Sequence, residues 1–477
     1  MLGIQKKLTN SFYAILSLPA TAMGFALSVQ ISALSWILKN KYGLEIEDIG
    51  FVWAAGPLAG ILGQVLIGVI SDNVWFWNGR RRPFIIIGGT LAALMLLALP
   101  SIDIISTSLG FDEILGVALV VAIMLDLAIN VSFNPTRSVI ADVTPEGEKR
   151  TKGYTWMQTV SGTFGVLAYA IGALWDNYVL IYFGAFLVLA TSVIPPFFIE
   201  EPRNNVLSET GSSSKLSVGK ILLIIQPLWG FLIYDIYAMV IKIGKFEVDH
   251  YYVEYICLGL SVIFVGNALL KKEGNEKSIG TDIGGFKKVL AAHSFSWIGV
   301  QSMFIYTLFY VEDKLPDLNE TEAGRVVSWS FLILNAVAAV LPSTVLEPLA
   351  RSYGRVKTHL VSIGIMALGY AGIVFFGKSE LTIYIFMGIA GIGWGAIVSL
   401  PFAIMSQKVD KGKMGLYMGL FNLSVVLPQL IASLGIAKLI DSFEDKSLIF
   451  IVCAVCLLIS TVAWGFVKEQ KEEGQST

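Results

Sequence analysis

Long apolar segments recur along the chain, and they restrict its fold more than any other feature of the sequence. Of the 477 residues, 55% are hydrophobic and only 15% are charged, with a mean hydropathy of +0.70, well above that of soluble domains. About 20 apolar residues in a helix cross a bilayer, so we predict an all-α integral membrane protein with the lipid bilayer as its partner. Candidate spans lie near residues 11–38, 49–70, 84–100, 113–134, 154–174, 178–199, 219–241, 252–270, 292–312, 326–346, 358–377, 381–405, 415–435 and 446–467.

The spans fall into three groups along the chain. We predict an N-terminal six-helix bundle in residues 1–205 and a C-terminal six-helix bundle in residues 291–477. Between them, residues 206–290 form a linker that contains an extra hairpin near 219–270. The hairpin is either a further pair of transmembrane helices or a re-entrant hairpin.

The basic residues test this arrangement, because successive loops must alternate sides of the membrane. With the N-terminus placed inside, 25 of the 34 Lys and Arg residues fall in inner segments, as the positive-inside rule requires. We therefore predict a multi-pass protein of the cytoplasmic (inner) membrane, with both termini cytoplasmic, acting as a monomer. The net charge of −2 gives no indication of a nucleic-acid partner.

The loop after the second span carries a cluster of arginines that has an echo in the second half of the chain. Gly79 is followed by Arg80, Arg81 and Arg82, and Gly354 is followed by Arg355 at the corresponding loop. Together with the pair Pro135 and Pro401, the echo indicates duplicated halves, as in one class of transporters. We predict a cytoplasmic gate made of Asp72, Gly79, Arg80, Arg81, Arg82, Asp142, Gly354 and Arg355.

The fourth span has one polar face. At about 100° per residue, Asn130, Asn134 and Arg137 project within about 80° of Asp126. Asp126 lies roughly 20 Å from the outer end of its helix, near the middle of the bilayer, where an ionised group costs about 2.5–3.5 kcal/mol. Burial favours the protonated form, so Asp126 is a candidate proton-coupling site; the alternative is a structural carboxyl.

Amide and indole side chains also lie inside apolar spans. Such groups suit a neutral polyhydroxylated ligand, because amides bond hydroxyls and aromatic rings cover C–H faces. Hydrogen bonding between helices is the alternative use of each amide. The candidate substrate or coupling residues are Gln30, Gln64, Asn130, Asn134, Arg137, Gln158, Trp297, Gln301, Asn335, Trp394, Asn422 and Gln429. For Arg137, a salt bridge with Asp72 or Asp142 is the other interpretation.

Other chemistries lack a sequence pattern. The three histidines, His250, His293 and His359, are expected at span ends or in loops, which leaves a carboxylate as the better proton carrier. No phosphate-binding loop or hydrolase motif stands in a suitable context. We therefore predict no enzyme activity, no cofactor and no metal site.

The arginine loop, the polar fourth span and the segment from Gly393 to Pro401 together resemble those of sugar:proton symporters of the major facilitator superfamily. The resemblance is to the sucrose and maltose transporter-like branch, near the glycoside-pentoside-hexuronide:cation symporters, and Lys413–Asn422 is similar to its bacterial members especially. It implies two six-helix bundles with alternating access, and import of a small-molecule sugar together with protons. It also implies that Asp126 is the coupling acid and Arg137 its basic companion.

One segment departs from the resemblance. Plant members carry a run of acids in the seventh span, whereas this chain has Phe304–Tyr310 and acids only at Glu312 and Asp313. The substrate can therefore be a maltose-like glucoside as well as sucrose. A sodium-coupled or uncoupled carrier of the same fold and a non-transporting membrane sensor are the alternative functions.

Overall fold

α-Helices make up nearly all of the computed structural model, which describes residues 3–60, 70, 74–111, 113–145, 148–202, 218–246, 248, 250–271, 282–409 and 414–469. Within these ranges the only β-pairing is an isolated bridge between Phe76 and Gly79, in the loop that carries the arginines. The predicted all-α class is therefore confirmed.

The helices in chain order are α1 Gly3–Lys6, α2 Asn10–Asn40, α3 Ile46–Trp53, α4 Arg82–Ala98, α5 Ile102–Leu109, α6 Ile114–Val143, α7 Glu148–Leu174, α8 Asn177–Val193, α9 Val218–Ile224, α10 Trp229–Gly244, α11 Tyr252–Leu270, α12 Ile283–Lys314, α13 Glu320–Leu341, α14 Glu347–Tyr353, α15 Arg355–Phe376, α16 Glu380–Lys408, α17 Met414–Leu430, α18 Ala437–Asp441 and α19 Leu448–Trp464. Short 3₁₀ turns occupy Leu99–Ser101, Pro195–Phe198 and Gln226–Leu228. Two π-helical turns occupy Pro342–Leu346 and Ile431–Ile436.

Membrane-spanning helices match most of the predicted spans. In the described part of the chain, 11 helices are long and apolar enough to cross a membrane, and each coincides with one predicted span. Both halves of the extra hairpin are among them, as Gln226–Gly244 and Tyr252–Leu270. The last span is shorter, Leu448–Trp464, and residues 61–69 of the span near 49–70 lie outside the described residues.

Helix α12 differs from its predicted limits. The sequence predicts a span near 292–312, whereas α12 runs from Ile283 to Lys314 and is buried along almost its whole length. Its serines, glutamine and histidine lower its hydropathy, but neighbouring helices cover them instead of lipid. A lipid-based hydropathy criterion therefore underestimates a helix in the interior of a bundle.

Two of the three histidines lie buried within helices. His293 lies well inside α12 with 2% of its surface exposed, and His359 on α15 is 0% exposed. The expectation that His293 lies at a span end is wrong, because the helix begins well before it. His250 is exposed and outside the helices, as expected.

Contacts divide the chain into two compact units. The first comprises Met1–Glu209 and Pro316–Leu332, and the second comprises Thr210–Leu315 and Ile333–Thr477. The beginning of α13 joins the first unit through polar contacts: the hydroxyls of Ser32 and Ser328 lie 2.8 Å apart. The division at 205/206 and 290/291 stays a prediction.

Each unit has its own helix pairs. In the first, α2 packs on α7 and α8, and α4 packs on α6 and α8, around a core of Phe12, Leu16, Ile85, Val139, Ile140, Met157 and Ile199. In the second, α15 packs on α16 and α19, and α12 on α17 and α19. The hairpin α10–α11 belongs to the second unit, where α11 packs on α12.

Candidate functional site

A buried carboxyl group occupies the middle of α6 in the first unit. Asp126 is 5% exposed, and its Oδ2 accepts a hydrogen bond from Nε2 of Gln30 on α2 at 3.0 Å. No Lys or Arg of the described residues forms an ion pair with it. Its nearest polar partner is therefore neutral, and a neutral amide compensates an ionised carboxylate only partly.

Two neighbours shape the surroundings of this carboxyl. Nδ2 of Asn130 donates to the main-chain oxygen of Asp126 at 2.8 Å, one helical turn away. At Gly56 a Cβ would lie 3.4 and 3.5 Å from the two carboxyl oxygens, so any side chain longer than a methyl group there would press on the acid. The predicted Gln64 lies outside the described residues.

Arg137 lies apart from Asp126 on the same helix. Its guanidinium carbon is 4.1 Å from the centre of the Phe133 ring, and the Tyr154 hydroxyl donates to its main-chain oxygen at 3.3 Å. Along an α-helix the two residues are roughly 16 Å apart, which excludes direct pairing. The predicted Asn134 is half-buried and Gln158 on α7 is exposed.

The second unit brings several predicted residues together in an aromatic cluster around Trp394. Nε1 of Trp394 on α16 donates to Oδ1 of Asn335 on α13 at 3.0 Å. Its ring meets Trp297 edge-on at 5.9 Å and Phe304 at 5.4 Å between centroids. Three helices thereby fix one indole, with a neutral amide at its edge.

A pair of amides lies on neighbouring helices of the same unit. Nε2 of Gln429 donates to Oε1 of Gln301 at 3.1 Å, and Gln301 is 6% exposed. Asn422 is half-buried two turns before Gln429, on the same face of α17. These contacts are also the interhelical hydrogen bonds that the alternative interpretation expects, so geometry alone does not separate the two uses.

His293 supports the aromatic cluster and was not selected from the sequence. Its Nε2 accepts a hydrogen bond from Nε1 of Trp297 at 2.9 Å, and its ring stacks on Phe421 at 4.9 Å and 14°. An accepting Nε2 carries no proton, so the contact assigns the neutral ring with its proton on Nδ1. The i, i+4 spacing of His293 and Trp297 was the available signal.

The arginine loop is held by two acids. Asp142 on α6 pairs with Arg80 at 2.7 Å and with Arg81 at 3.2 Å. The carboxylate of Glu201 accepts from three successive main-chain N–H groups, of Arg80 at 2.8 Å, Arg81 at 2.9 Å and Arg82 at 2.7 Å. We call this arrangement the first glutamate cap; it satisfies donors at the start of α4 and complements the helix dipole. Asp72 lies outside the described residues.

The second unit contains a second glutamate cap with the same design. Glu469 accepts from the main-chain N–H of Arg355 at 2.9 Å and of Val356 at 2.8 Å, at the start of α15. Each cap lies against a glycine: a Cβ would be 2.7 Å from Glu201 at Gly79 and 2.8 Å from Glu469 at Gly354. The predicted echo between the two loops therefore extends to their capping acids.

Both capping acids lie in short segments of similar sequence, which a comparison of the arginine loops alone does not include. Phe198–Glu201 reads Phe-Ile-Glu-Glu, and Phe466–Glu469 reads Phe-Val-Lys-Glu. Both segments directly follow the last helix of their half, and both end in the capping glutamate. A comparison of the two halves anchored at their last spans would have found them.

Replacing Gly354 should destabilise the second cap. Gly354 has φ = +93°, a conformation that costs a side-chain-bearing residue about 1–3 kcal/mol. We expect Gly354→Ala to lower the Tm by about 1–3 °C, measured by thermal unfolding of the purified protein. Gly419→Ala is the control, because a Cβ there meets nothing within 4 Å; equal Tm values for both variants would contradict the role of the cap.

Metal chemistry finds no support in the described ranges, where no group of three or more His, Cys, Asp and Glu side chains could hold an ion. Cys453 and Cys456 are free thiols in α19. Around Trp394 the polar groups are a neutral amide and indoles, and Asp126 is a carboxyl bonded to a neutral amide.

Comparison with known proteins assigns the fold and finds named relatives. The family model described as Major Facilitator Superfamily matches residues 16–433. The chain is 24% identical over 463 residues to the sucrose transport protein SUC4 of Arabidopsis thaliana, covering 87% of this chain and 81% of the relative. It is 26% identical to the sucrose transport protein SUT2 of Oryza sativa, covering 87% and 84%. Over 176 residues it is 30% identical to the general alpha-glucoside permease of Schizosaccharomyces pombe, covering 33% and 32%.

Solved structures agree on the fold. The nucleoside transporter NupG (D323A mutant) has a TM-score of 0.65 at 11% identity, covering 96% of this chain and 100% of that one. The inward-open xylose transporter XylE from E. coli has a TM-score of 0.59 at 13% identity, covering 97% of each chain. The predicted resemblance to sucrose and glucoside transporters is confirmed, and the relatives are named as transport proteins, not enzymes.

Proposed function

The chain belongs to the Major Facilitator Superfamily, and from that premise we propose that it imports a maltose- or sucrose-like glycoside together with protons by alternating access. It is a multi-pass membrane protein. We place it in the cytoplasmic membrane as a monomer with both termini inside, because most of its basic residues then lie on the inner side.

The observation that carries the proposal is the environment of Asp126. A carboxyl group that is 5% exposed and bonded to the neutral Gln30 is costly to ionise inside a membrane. Protonation removes that cost, so the group can take up a proton in one state of the transporter and release it in another. Such a cycle is the minimum requirement for proton coupling.

The sugar specificity rests on different residues. Trp394, Trp297 and Asn335 combine aromatic faces with an amide, a combination suited to the C–H faces and hydroxyls of a sugar. The relatives named as sucrose transport proteins and as an alpha-glucoside permease point to the same substrate class. Arg137, Asn130, Gln301 and Gln429 remain candidates for the polar contacts.

The arginine loop and its acids serve a different purpose in this proposal. Arg80 and Arg81 pair with Asp142, and Glu201 binds their main-chain N–H groups. In these contacts the arginine side chains and main-chain N–H groups bind other protein groups instead of a ligand. We assign them, with Gly354 and Arg355, to the gate that sets the balance of states.

Purified protein in proteoliposomes tests the proposal directly. Addition of maltose or sucrose outside should make the external medium more alkaline, and an inward proton gradient should drive accumulation of the labelled sugar. Sodium-driven uptake that persists with a proton uncoupler would favour the sodium-coupled carrier instead. Absence of uptake across a panel of labelled glycosides would overturn the substrate class.

A substitution at Trp394 distinguishes the contribution of its aromatic ring from that of its N–H group. Trp394→Phe keeps an aromatic face but removes the donor to Asn335, and one such hydrogen bond contributes about 1 kcal/mol. We expect KM for the sugar to rise about fivefold, with the maximal rate little changed, in counterflow assays. Leu381→Ala, at an exposed side chain of the same helix, is the control; an unchanged KM in Trp394→Phe would remove the indole from the site.

A further inference from the structure

The extra hairpin contains a buried acid that the proposed function does not use. Asp235 lies on α10 and is 3% exposed. Both of its carboxyl oxygens are buried, and neither has a hydrogen-bond partner in the described part of the protein. Few buried polar groups lack a partner, so each one requires an explanation.

The packing of α10 places Asp235 against protein rather than lipid. One turn earlier on the same face, Phe231 meets Phe295 of α12 edge-on at 5.8 Å. The adjacent Tyr234 points its hydroxyl at Gly435, where a Cβ would lie 2.7 Å away. α10 therefore faces α12 and the π-helical turn Ile431–Ile436, and Asp235 lies in the seam between the hairpin and the bundle.

The second helix of the hairpin supplies the other ionisable groups near this seam. Gly230 packs so closely on α11 that a Cβ would lie 2.7 Å from the Cys257 oxygen and 2.1 Å from the Ser261 hydroxyl oxygen. In an antiparallel pair this register brings Glu254 roughly level with Asp235. Glu254 Oε2 is also buried without a partner.

Near Asp235 the ionisable groups are acidic or neutral, and α17, which also packs on α10, carries no Asp, Glu, Lys or Arg. Lys287 of α12 reaches the hairpin only at its start, where its Nζ donates to Oε1 of Gln226 at 3.4 Å. On α10 and α11 they are Tyr234, Tyr237, Glu254 and Cys257. In the π-helical turn there is no ionisable side chain, and on the facing part of α12 there is Tyr306, whose hydroxyl donates to the main-chain oxygen of Ala432 at 2.9 Å. No Lys or Arg of the described residues forms an ion pair with Asp235.

Unpartnered hydroxyls lie on the elements across the seam. Ser433, in the π-helical turn, is fully buried and its hydroxyl has no partner in the described ranges. Ser302 is likewise fully buried, and its hydroxyl has no partner in those ranges. It lies four residues before Tyr306, on the face of α12 that contacts the π-helical turn. Within the part of the chain that the structure describes, the serine hydroxyl oxygens accept no hydrogen bond, and the carboxyl group of Asp235 has no counter-ion. Such oxygen atoms are suitable ligands for a small cation.

We propose that Asp235 is the centre of a binding site for a small monovalent cation, a proton or Na⁺, in the seam between the hairpin and the other helices of the second unit. The Ser433 hydroxyl and the main-chain oxygens of its π-helical turn are the candidate further ligands, since π-helical turns are frequent at functional sites. Binding there neutralises the carboxylate and fastens the hairpin to α12. The site is independent of the transported solute.

Thermal unfolding of the full-length protein in detergent, without sugar, tests the site. In wild type, Na⁺ (against choline) at a fixed pH, or acidification at fixed Na⁺, should raise the Tm by about 3 °C at concentrations well above Kd. Asp235→Asn should lose the Na⁺-dependent rise and reduce the acid-dependent one, while Asp317→Asn, at an exposed carboxylate, should retain both. A response to Na⁺ identifies sodium as the ligand, and a response to acid alone identifies the proton.

Two outcomes would overturn the proposal. If Asp235→Asn gives the same Tm as wild type in both titrations, Asp235 is a permanently neutral structural acid. If that variant does not fold, difference infrared spectroscopy of wild type still decides, with Asp235→Glu to assign the band. A carboxylic-acid band of Asp235 that responds neither to pH nor to Na⁺ excludes the site. Because no sugar is present, failure of the glycoside proposal leaves this test unaffected.

Discussion

Asp126→Asn should abolish concentrative uptake while leaving sugar exchange intact. For one proton per sugar, a gradient of one pH unit is equivalent to about 1.4 kcal/mol and supports about tenfold accumulation. The amide cannot carry a proton, but it keeps the size of the carboxyl and an oxygen that can accept from Gln30. We therefore expect the accumulation ratio to fall to about one, with counterflow of labelled sugar retained.

The measurement compares two assays on the same vesicles. Accumulation under an imposed pH gradient reports coupling, and counterflow without a gradient reports binding and movement of the carrier. Asp317→Asn is the matched control, because Asp317 is an exposed carboxylate between α12 and α13. Wild-type accumulation by Asp126→Asn would remove Asp126 from the coupling site, and loss of counterflow as well would indicate a structural role.

Glu201→Ala should slow transport at least tenfold without a matching change in sugar affinity. The carboxylate accepts from three successive N–H groups at the start of α4, and hydrogen bonds to a charged group contribute about 1.5–3 kcal/mol each. Losing even one such contact in the state that contains it changes the equilibrium between states by about tenfold or more. The effect should appear in the maximal rate, because this cap lies away from Asp126.

The neighbouring acid provides the comparison for this variant. Glu200 accepts none of the three N–H bonds of the cap, and its main-chain bonds to Gln5 remain in the alanine variant, so Glu200→Ala should leave the cap intact. Glu469→Ala should reproduce the Glu201 phenotype, because it opens the equivalent cap on α15. Equal rates for Glu201→Ala and Glu200→Ala would show that the first cap does not control the balance of states.

Hydropathy predicted the helices well where lipid or a single buried face determines their composition. The hairpin helices and α6, with Asp126 in its interior, follow directly from apolar length. The limits of α12 could not be predicted from apolar length, because its polar residues are covered by other helices. His293 was misplaced for the same reason.

Contacts between distant segments could not be predicted from local pattern. Glu201 lies 121 residues from Arg80 in the chain, and only comparison with the distant segment Phe466–Glu469 distinguishes it from Glu200. The pairing of Trp394 with Asn335 likewise depends on how α13 and α16 pack. Residue types limited the candidates for the site, whereas tertiary packing decided which of them meet.

The π-helical turn Ile431–Ile436 gives the helix that contains Gln429 a means of rotation. A π turn holds about one residue more than an α turn, so its conversion to α-helix would turn one end relative to the other by about 100°. Gln429 precedes the turn and bonds Gln301, whereas Lys438 follows it and lies 4.6 Å from the centre of the Tyr251 ring beside the hairpin. A twist at this point would therefore change the contacts of the hairpin while the amide pair stays in place, without breaking the helix.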